Sequence, residues 1–237
     1  MKDFSSRAFI FDMDGTLIDN MRYHTDAWRT LLEENGFHFD ERKFMVETAG
    51  QTNREILPGV FGELPEERLG QLARRKEELY REVYAPHRKP LGGLVDFLEA
   101  SKKLGVKMAV STAASPPNME FILDGLDLRK YFSAVTTAAD VKKGKPDPET
   151  FLISAKHLGV EPKNSIVFED AFGGFEAARR AGMTAVGLTT VNSAADIMES
   201  GNATEVHTDF TTLDPKDLIE KYVPFELAAA KNQETRQ

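Results

Sequence analysis

Short apolar runs alternate with segments of helical periodicity along most of this chain. The runs are rich in β-branched residues, and each is followed by a loop and a helical pattern. Strands that alternate with helices predict an α/β fold, in which a parallel sheet carries helices on both faces. Six strands are predicted, at residues 8–11, 106–111, 133–137, 165–169, 184–188 and 203–207.

Proline and glycine mark the ends of the helical segments. In "DPETFLISAKHLG" we expect Asp147 to be the N-cap, Pro148 the first helical residue and Gly159 the end. The segment that follows residue 172 ends in the same way at Gly182. These signals place the connecting helices of the α/β pattern between the predicted strands.

One region of the chain departs from the alternation. Between about residues 21 and 90 only helical periodicity is found, in two apolar stripes. The stripes are formed by Met21, Trp28, Leu31 and Leu32 and by Leu69, Leu72, Ala73, Tyr80 and Val83. We therefore predict that residues 1–19 and 91–237 form an α/β core and that residues 20–90 form an inserted helical cap.

Composition and charge narrow the possible functions. The 237 residues carry a formal charge of -8, which makes nucleic acid an unsuitable partner, and the absence of cysteine excludes disulfides and thiol catalysis. The N-terminal segment lacks the pattern of a signal peptide, and no apolar stretch reaches the length of a membrane span. We expect a cytoplasmic protein that does not associate with membranes.

Two aspartates follow the first predicted strand in "FIFDMDGT". Residues i and i+2 of a strand point to the same side, so Asp12 and Asp14 are expected to leave the strand end together. Ligands bind at the carboxyl ends of parallel strands, and Mg²⁺ would offset the repulsion between the carboxylates. The alternative is that both are ordinary turn residues.

Four segments in order resemble the motifs of the haloacid dehalogenase superfamily of phosphotransferases. They are "FIFDMDGTLID", "MAVST", "KKGKPDPETF" and "VFEDAFGGFEAARRAG", and the resemblance extends over residues 7–190. It implies a Rossmann-like core. The helical insert after the first motif resembles that of the β-phosphoglucomutase-like branch, which also contains phosphatases of small metabolites.

The resemblance assigns catalytic roles to four residues. Asp12 matches the nucleophile that forms an aspartyl-phosphate, and Asp14 matches the general acid and base. Thr112 matches the hydroxyl residue that contacts the transferring phosphate. Lys145 matches the lysine that neutralises the phosphoryl oxygens and the nucleophile.

The same resemblance implies a Mg²⁺ site. Its predicted ligands are Asp12, the backbone carbonyl of Asp14, and the acidic pair that ends "SIVFED". Asp170 is the stronger ligand candidate of that pair. Glu169 either binds the ion directly or supports its ligands, since consecutive strand residues diverge.

Four residues of the predicted cap are candidates for substrate binding. His24 resembles a histidine that reaches the acid and base, with half-buried packing as the alternative. Lys76 lies on an apolar face and resembles a lysine that binds a distal phosphate, with snorkelling as the alternative. Gly50 and Arg54 lie in the segment that corresponds to the specificity loop, where Arg54 is displaced by one residue from the pattern of the mutase.

These residues predict a Mg²⁺-dependent phosphohydrolase that acts, as a monomer, on a small phosphorylated metabolite such as a sugar phosphate. The alternative is a hexose-phosphate mutase of the β-phosphoglucomutase type. Ser115 and Pro116 stand where the mutase has Lys-Asn, which favours the phosphatase. An inorganic pyrophosphatase and a catalytically silent binding protein are further alternatives.

Overall fold

A computed structural model of the chain describes residues 4–48 and 52–223. Its centre is a six-stranded sheet in which every paired neighbour is parallel. The strands are β1 (Ala8–Phe11), β2 (Lys107–Ser111), β3 (Ala134–Thr136), β4 (Ser165–Glu169), β5 (Thr184–Leu188) and β6 (Glu205–His207), in the order β3-β2-β1-β4-β5-β6. The predicted α/β class and all six predicted strands are confirmed, with β2, β3 and β6 shorter than expected.

The described segment between β1 and the next core helix contains helices only. They are α1 (Met21–Glu34), α2 (Glu41–Thr48), α3 (Asn53–Phe61) and α4 (Glu66–Tyr84), followed by a short 3₁₀ turn at Ala85–His87. Both α1 and α4 are amphipathic, and their buried faces include Trp28, Leu31, Leu72 and Leu79. Met21 is 37% exposed, so its predicted place in the apolar stripe is wrong, because it lies at the first turn of α1.

Six of the described helices belong to the core. They are α5 (Leu94–Lys103), α6 (Pro116–Leu123), α7 (Glu149–Leu158), α8 (Phe172–Arg180), α9 (Ala194–Glu199) and α10 (Pro215–Tyr222). The predicted start of α7 is wrong by one residue. Pro148 occupies the N-cap position, and the Asp147 carboxylate accepts a hydrogen bond from the Glu149 N–H at 3.1 Å.

Alternation along β1 divides the core between the two faces of the sheet. Phe9 and Phe11 point to the face covered by α5 and α10, where Phe11 stacks on Phe168 with ring centroids 4.8 Å apart. Ala8 and Ile10 point to the face covered by α7 and α8. Both faces of β1 are therefore buried, and only its carboxyl end is left to carry polar groups.

None of the described helices combines the length and the apolar character that a membrane span requires.

Candidate active site

Three buried carboxyl groups meet at the carboxyl ends of β1 and β4. Asp12 follows β1, Glu169 is the last residue of β4, and Asp170 is the next residue. One carboxylate oxygen from each lies within 4.8 Å of the other two. Their exposed fractions are 7%, 1% and 3%, respectively. The pairing of β1 with β4 thus brings together two motifs that are far apart in the sequence.

Lys145 is the cation of this group. It lies in the loop before α7, and its Nζ donates to Asp12 Oδ1 at 2.6 Å and to Glu169 Oε1 at 2.5 Å. Burial alone would lower the pKa of Lys145, but the charges of Asp12 and Glu169 outweigh burial and raise it. Lys145 therefore stays charged beside two of the acids.

The remaining negative charge of the group is poorly compensated. Burial, opposed by Lys145 and assisted by the charges of Glu169 and Asp14, raises the pKa of Asp12 from 3.8 to about 7. Burial and the neighbouring charges of Glu169 and Asp12 also raise the pKa of Asp170 well above its ordinary value. A further positive charge at this position would stabilise both carboxylates in their ionised form.

The Glu169 side chain is fixed from several directions. Its Oε2 accepts hydrogen bonds from the N–H groups of Asp170 at 2.7 Å and of Ala171 at 2.8 Å, while Oε1 accepts from Lys145. The carboxylate lies against the first turn of α8, where a Cβ on Gly174 would approach Oε1 to 1.8 Å. The position needs glycine because the carboxylate occupies the place of a side chain, a contact that no local sequence pattern indicates.

Substitution of Gly174 by alanine should therefore disturb the acidic group. We expect Gly174→Ala to lower the free energy of unfolding by about 1–3 kcal/mol, since the new methyl group displaces Glu169 from its hydrogen bonds. Gly173→Ala is the matched control, because its Cβ would approach its nearest neighbour, Lys145, only to 4.0 Å. Denaturant titration of both variants tests this, and equal stability would contradict the steric argument.

The turn after β1 is packed directly on Asp170. Gly15 adopts φ +82°, and a Cβ there would lie 2.2 Å from Asp170 Oδ2. The Thr16 hydroxyl donates to Asp170 Oδ1 at 3.3 Å. From the loop after β5, Thr190 donates to the Gly15 carbonyl and Asn192 donates to the Asp170 carbonyl at 2.8 Å. Neither loop residue carries a motif signal, and neither was predicted from the sequence.

The Asp14 carboxylate faces the helical region instead of the three clustered acids. Its Oδ1 accepts a hydrogen bond from Asn20 Nδ2 at 2.6 Å and lies 3.8 Å from His24 Nε2. The fully buried Asn20 also donates to Tyr80 Oη at 2.6 Å and accepts from the Gly15 N–H at 3.2 Å. Asn20 therefore orients Asp14, and its only sequence signal is a polar residue just before an amphipathic helix.

Thr112 lies at the same sheet edge as Asp12. Phe11 is opposite Val110 in the β1–β2 pairing, so the residues that follow these strands leave neighbouring ends. The Thr112 side chain is 3% exposed, and its hydroxyl accepts a hydrogen bond from the Ala114 N–H at 3.0 Å. Because a hydroxyl also carries one proton, Thr112 retains a donor that can serve a phosphate oxygen.

His24 of α1 and Lys76 of α4 lie on the side of Asp14 that faces the helical region. The Lys76 Nζ is 2.7 Å from His24 Nδ1, and the imidazole stacks on the Tyr80 ring with centroids 3.8 Å apart. An ammonium group only donates, so Nδ1 accepts this bond and a neutral imidazole carries its proton on Nε2, toward Asp14. Lys76 is only 3% exposed, whereas a snorkelling lysine would keep its ammonium group in solvent.

Of the other two predicted cap residues, Arg54 is described, and it does not reach the site. The Arg54 guanidinium forms a 2.7 Å ion pair with Glu66, and its side chain is 59% exposed. Gly50 lies outside the described residues. The neighbouring Asn53 does reach inward, and its Nδ2 donates to Glu77 Oε1 at 2.5 Å.

The chain is similar to known phosphatases and to a phosphomutase. The profile of the haloacid dehalogenase-like hydrolase family matches residues 6–182. Fructose-1-phosphate phosphatase YqaB of Escherichia coli (strain K12) is 40% identical over 76% of this chain and 94% of its own length. A phosphorylated carbohydrates phosphatase of Thermotoga maritima is 35% identical over 82% of this chain and 91% of its own length. The crystal structure of β-phosphoglucomutase from Clostridium difficile superposes with a TM-score of 0.78 at 30% identity, covering 92% of this chain and 97% of that one.

Proposed function

The chain belongs to the haloacid dehalogenase-like hydrolase family, and from this premise we propose that it is a Mg²⁺-dependent phosphohydrolase of sugar phosphates. The observation that carries the proposal is the buried group of Asp12, Glu169 and Asp170 with Lys145 bonded to two of the three acids. Two of the relatives are named as phosphatases of phosphorylated carbohydrates.

The reaction proceeds in two steps at Asp12. In the first, an Asp12 carboxylate oxygen forms a bond to phosphorus, the ester P–O bond breaks, and Asp14 gives a proton to the leaving oxygen. In the second, Asp14 takes a proton from water, the water oxygen bonds to phosphorus, and the bond between phosphorus and Asp12 breaks. Orthophosphate is released, and both aspartates return to their initial protonation states.

Lys145 and Thr112 stabilise the transferring phosphoryl group. The Lys145 ammonium, held at 2.6 Å from Asp12, keeps the nucleophile oriented and offsets the charge that the incoming phosphate brings. The Thr112 hydroxyl donates to a phosphoryl oxygen from the end of the neighbouring strand. Positioning and charge compensation of this kind account for most of the catalysis in phosphoryl transfer.

The acidic group fits a magnesium ion. Its donors are carboxylate oxygens, which Mg²⁺ prefers, and burial together with the neighbouring carboxylates raises the pKa values of Asp12 and Asp170 although Lys145 opposes the shift. Asp12 and Asp170 would hold the ion, while Glu169, which already accepts three hydrogen bonds, keeps the least free capacity. When bound, Mg²⁺ supplies positive charge that reduces repulsion between these carboxylates and a phosphate.

We expect Mg²⁺ to raise the melting temperature of the metal-free protein more at pH 8 than at pH 6. Because the folded-state pKa of Asp12 is raised to about 7, its ionisation costs stability as pH rises above the unfolded value of 3.8, and that cost is fully present at pH 8. A cation offsets this cost at pH 8, whereas at pH 6 it has to displace a proton. Differential scanning fluorimetry with matched ionic strength measures both shifts, and Asp170→Asn should abolish them. Equal shifts at the two pH values would contradict this assignment.

A panel of phosphate esters tests the proposed reaction. Release of orthophosphate from sugar phosphates that stops on addition of a chelator supports hydrolysis. The second candidate is a hexose-phosphate mutase, favoured by the likeness to β-phosphoglucomutase. It would isomerise the ester without releasing phosphate, and phosphorus NMR distinguishes the two products. Inorganic pyrophosphate belongs in the same panel.

A further inference from the structure

Glu77 is the centre of a polar cluster between the helical region and the core. Its Oε1 accepts hydrogen bonds from Lys76 at 3.0 Å and from Asn53 at 2.5 Å, and its Oε2 accepts from Asn118 Nδ2 at 2.5 Å. Asn118 lies in the first turn of α6, so the carboxylate of α4 is bonded directly to the core. The Glu77 side chain is 20% exposed, and Asn118 is 3% exposed.

The proposed reaction directs the part of the substrate beyond the phosphate toward this cluster. Asp14 protonates the leaving oxygen in the proposed reaction, and His24 stands 3.8 Å from Asp14. Lys76 contacts the other nitrogen of that imidazole, and Glu77 contacts Lys76. A leaving group that extends from Asp14 along these contacts therefore reaches Glu77.

A second phosphate group on the substrate would require a cation to bind it, and Glu77 neutralises the charge of Lys76. Burial lowers the pKa of Lys76, and the Glu77 charge opposes that effect, so the two side chains act as a buried ion pair. Arg81 is the other cation of the cluster, and its guanidinium donates to Asn118 Oδ1 at 2.6 Å. Asp14 holds its proton when the ester binds in the proposed reaction, so Glu77 is the anion of this cluster that offsets the charge of Lys76.

We propose that Glu77 is a specificity-determining residue that selects monophosphate esters of neutral polyhydroxy compounds and rejects bisphosphates. A carboxylate accepts about four hydrogen bonds, and three of these positions are occupied here. The remaining position accepts a hydroxyl group, whereas a phosphate would meet a like charge in a partly buried place. The inference rests on the proposed phosphohydrolase activity and names the substrate class of that site.

Matched substrate pairs test the assignment. The kcat/KM for phosphate release is measured with fructose 1-phosphate against fructose 1,6-bisphosphate, and with glucose 1-phosphate against glucose 1,6-bisphosphate. We expect the wild-type protein to prefer the monophosphate of at least one pair by about 10-fold or more, and Glu77→Gln to reduce that preference by a similar factor. Glu78→Gln, the same change at the exposed neighbouring residue, should leave the preference unchanged.

Each outcome bears on a distinct claim. If the wild-type protein releases phosphate from no ester, the proposed hydrolase function fails. If it cleaves bisphosphates as well as monophosphates, or if Glu77→Gln and Glu78→Gln preserve the same preference, the hydrolase stands and the role of Glu77 is overturned. Should Glu77→Gln not fold, as judged by circular dichroism, Glu77→Ala carries the same comparison, and a wild-type protein without the preference overturns the role of Glu77 in any case.

Discussion

Asp12→Asn should reduce phosphate release by at least about 10⁴-fold and leave the protein folded. The amide is isosteric with the carboxylate but has no anionic oxygen that can attack phosphorus, so the first step is lost. The pKa of Asp12 is raised mainly by burial, which means that its ionised form costs stability in the absence of metal. Removal of that charge should therefore lower the melting temperature by no more than about 3 °C.

Asp19→Asn is the matched control for this substitution. Asp19 lies in the same segment after β1 but is exposed, so the same chemical change should leave turnover within about two-fold of the wild-type value. The two variants are compared by orthophosphate release and by circular dichroism. Retention of more than a tenth of the wild-type rate in a folded Asp12→Asn protein would remove Asp12 from the role of nucleophile.

Lys145→Met should impair both activity and stability. Loss of the ammonium leaves Asp12 and Glu169 without the cation that lies 2.6 and 2.5 Å from their oxygens. We expect kcat/KM to fall by about 10²–10³-fold, because the transferring phosphoryl group loses a charge partner. Without metal at pH 8, the free energy of unfolding should fall by about 3 kcal/mol, since removal of one partner strands buried charges.

The loss of stability in Lys145→Met should depend on pH in a defined direction. As pH falls below the raised pKa of Asp12, about 7, this carboxyl is protonated in both proteins and the variant should approach the wild-type stability; as pH rises above that value, the loss should grow, because removal of Lys145 raises the pKa of Asp12 further. Lys143→Met, in the exposed part of the same loop, is the control that should change neither quantity. A pH-independent loss of stability would point to packing of the lysine side chain, whose Nζ lies 4.9 Å from the centroid of the Phe151 ring.

The strands could be predicted because their signal is local. Each one is a short apolar run bounded by polar residues, and buried parallel strands show that pattern without needing their neighbours. Residues 165–169 and 184–188 match the observed strands β4 and β5 at both ends. The strand ends also predicted where Asp12 and Asp170 would lie, since ligands gather at the carboxyl edge of such a sheet.

The polar contacts across the helical region could not be predicted from local patterns. Asn118 binds Glu77 and Arg81 although 41 and 37 residues separate them, and each is an ordinary surface residue type in its own helix. The same limit applies to Asn20, whose partner Tyr80 is 60 residues away. Arg54 was predicted to bind the substrate only from its position in a loop, whereas its guanidinium forms an ion pair with Glu66.

The position of β1 has a consequence for how the chain assembles. Of the six described strands, β1 comes first in the chain, yet its partners begin at Lys107 and Ser165, after the whole of α1–α4. The contacts between α1 and α4 close over a shorter stretch of chain, and local contacts form faster than distant ones. On the ribosome we therefore expect the helices to pack first, while β1, which ends just before Asp12, stays unpaired until the later part of the polypeptide emerges.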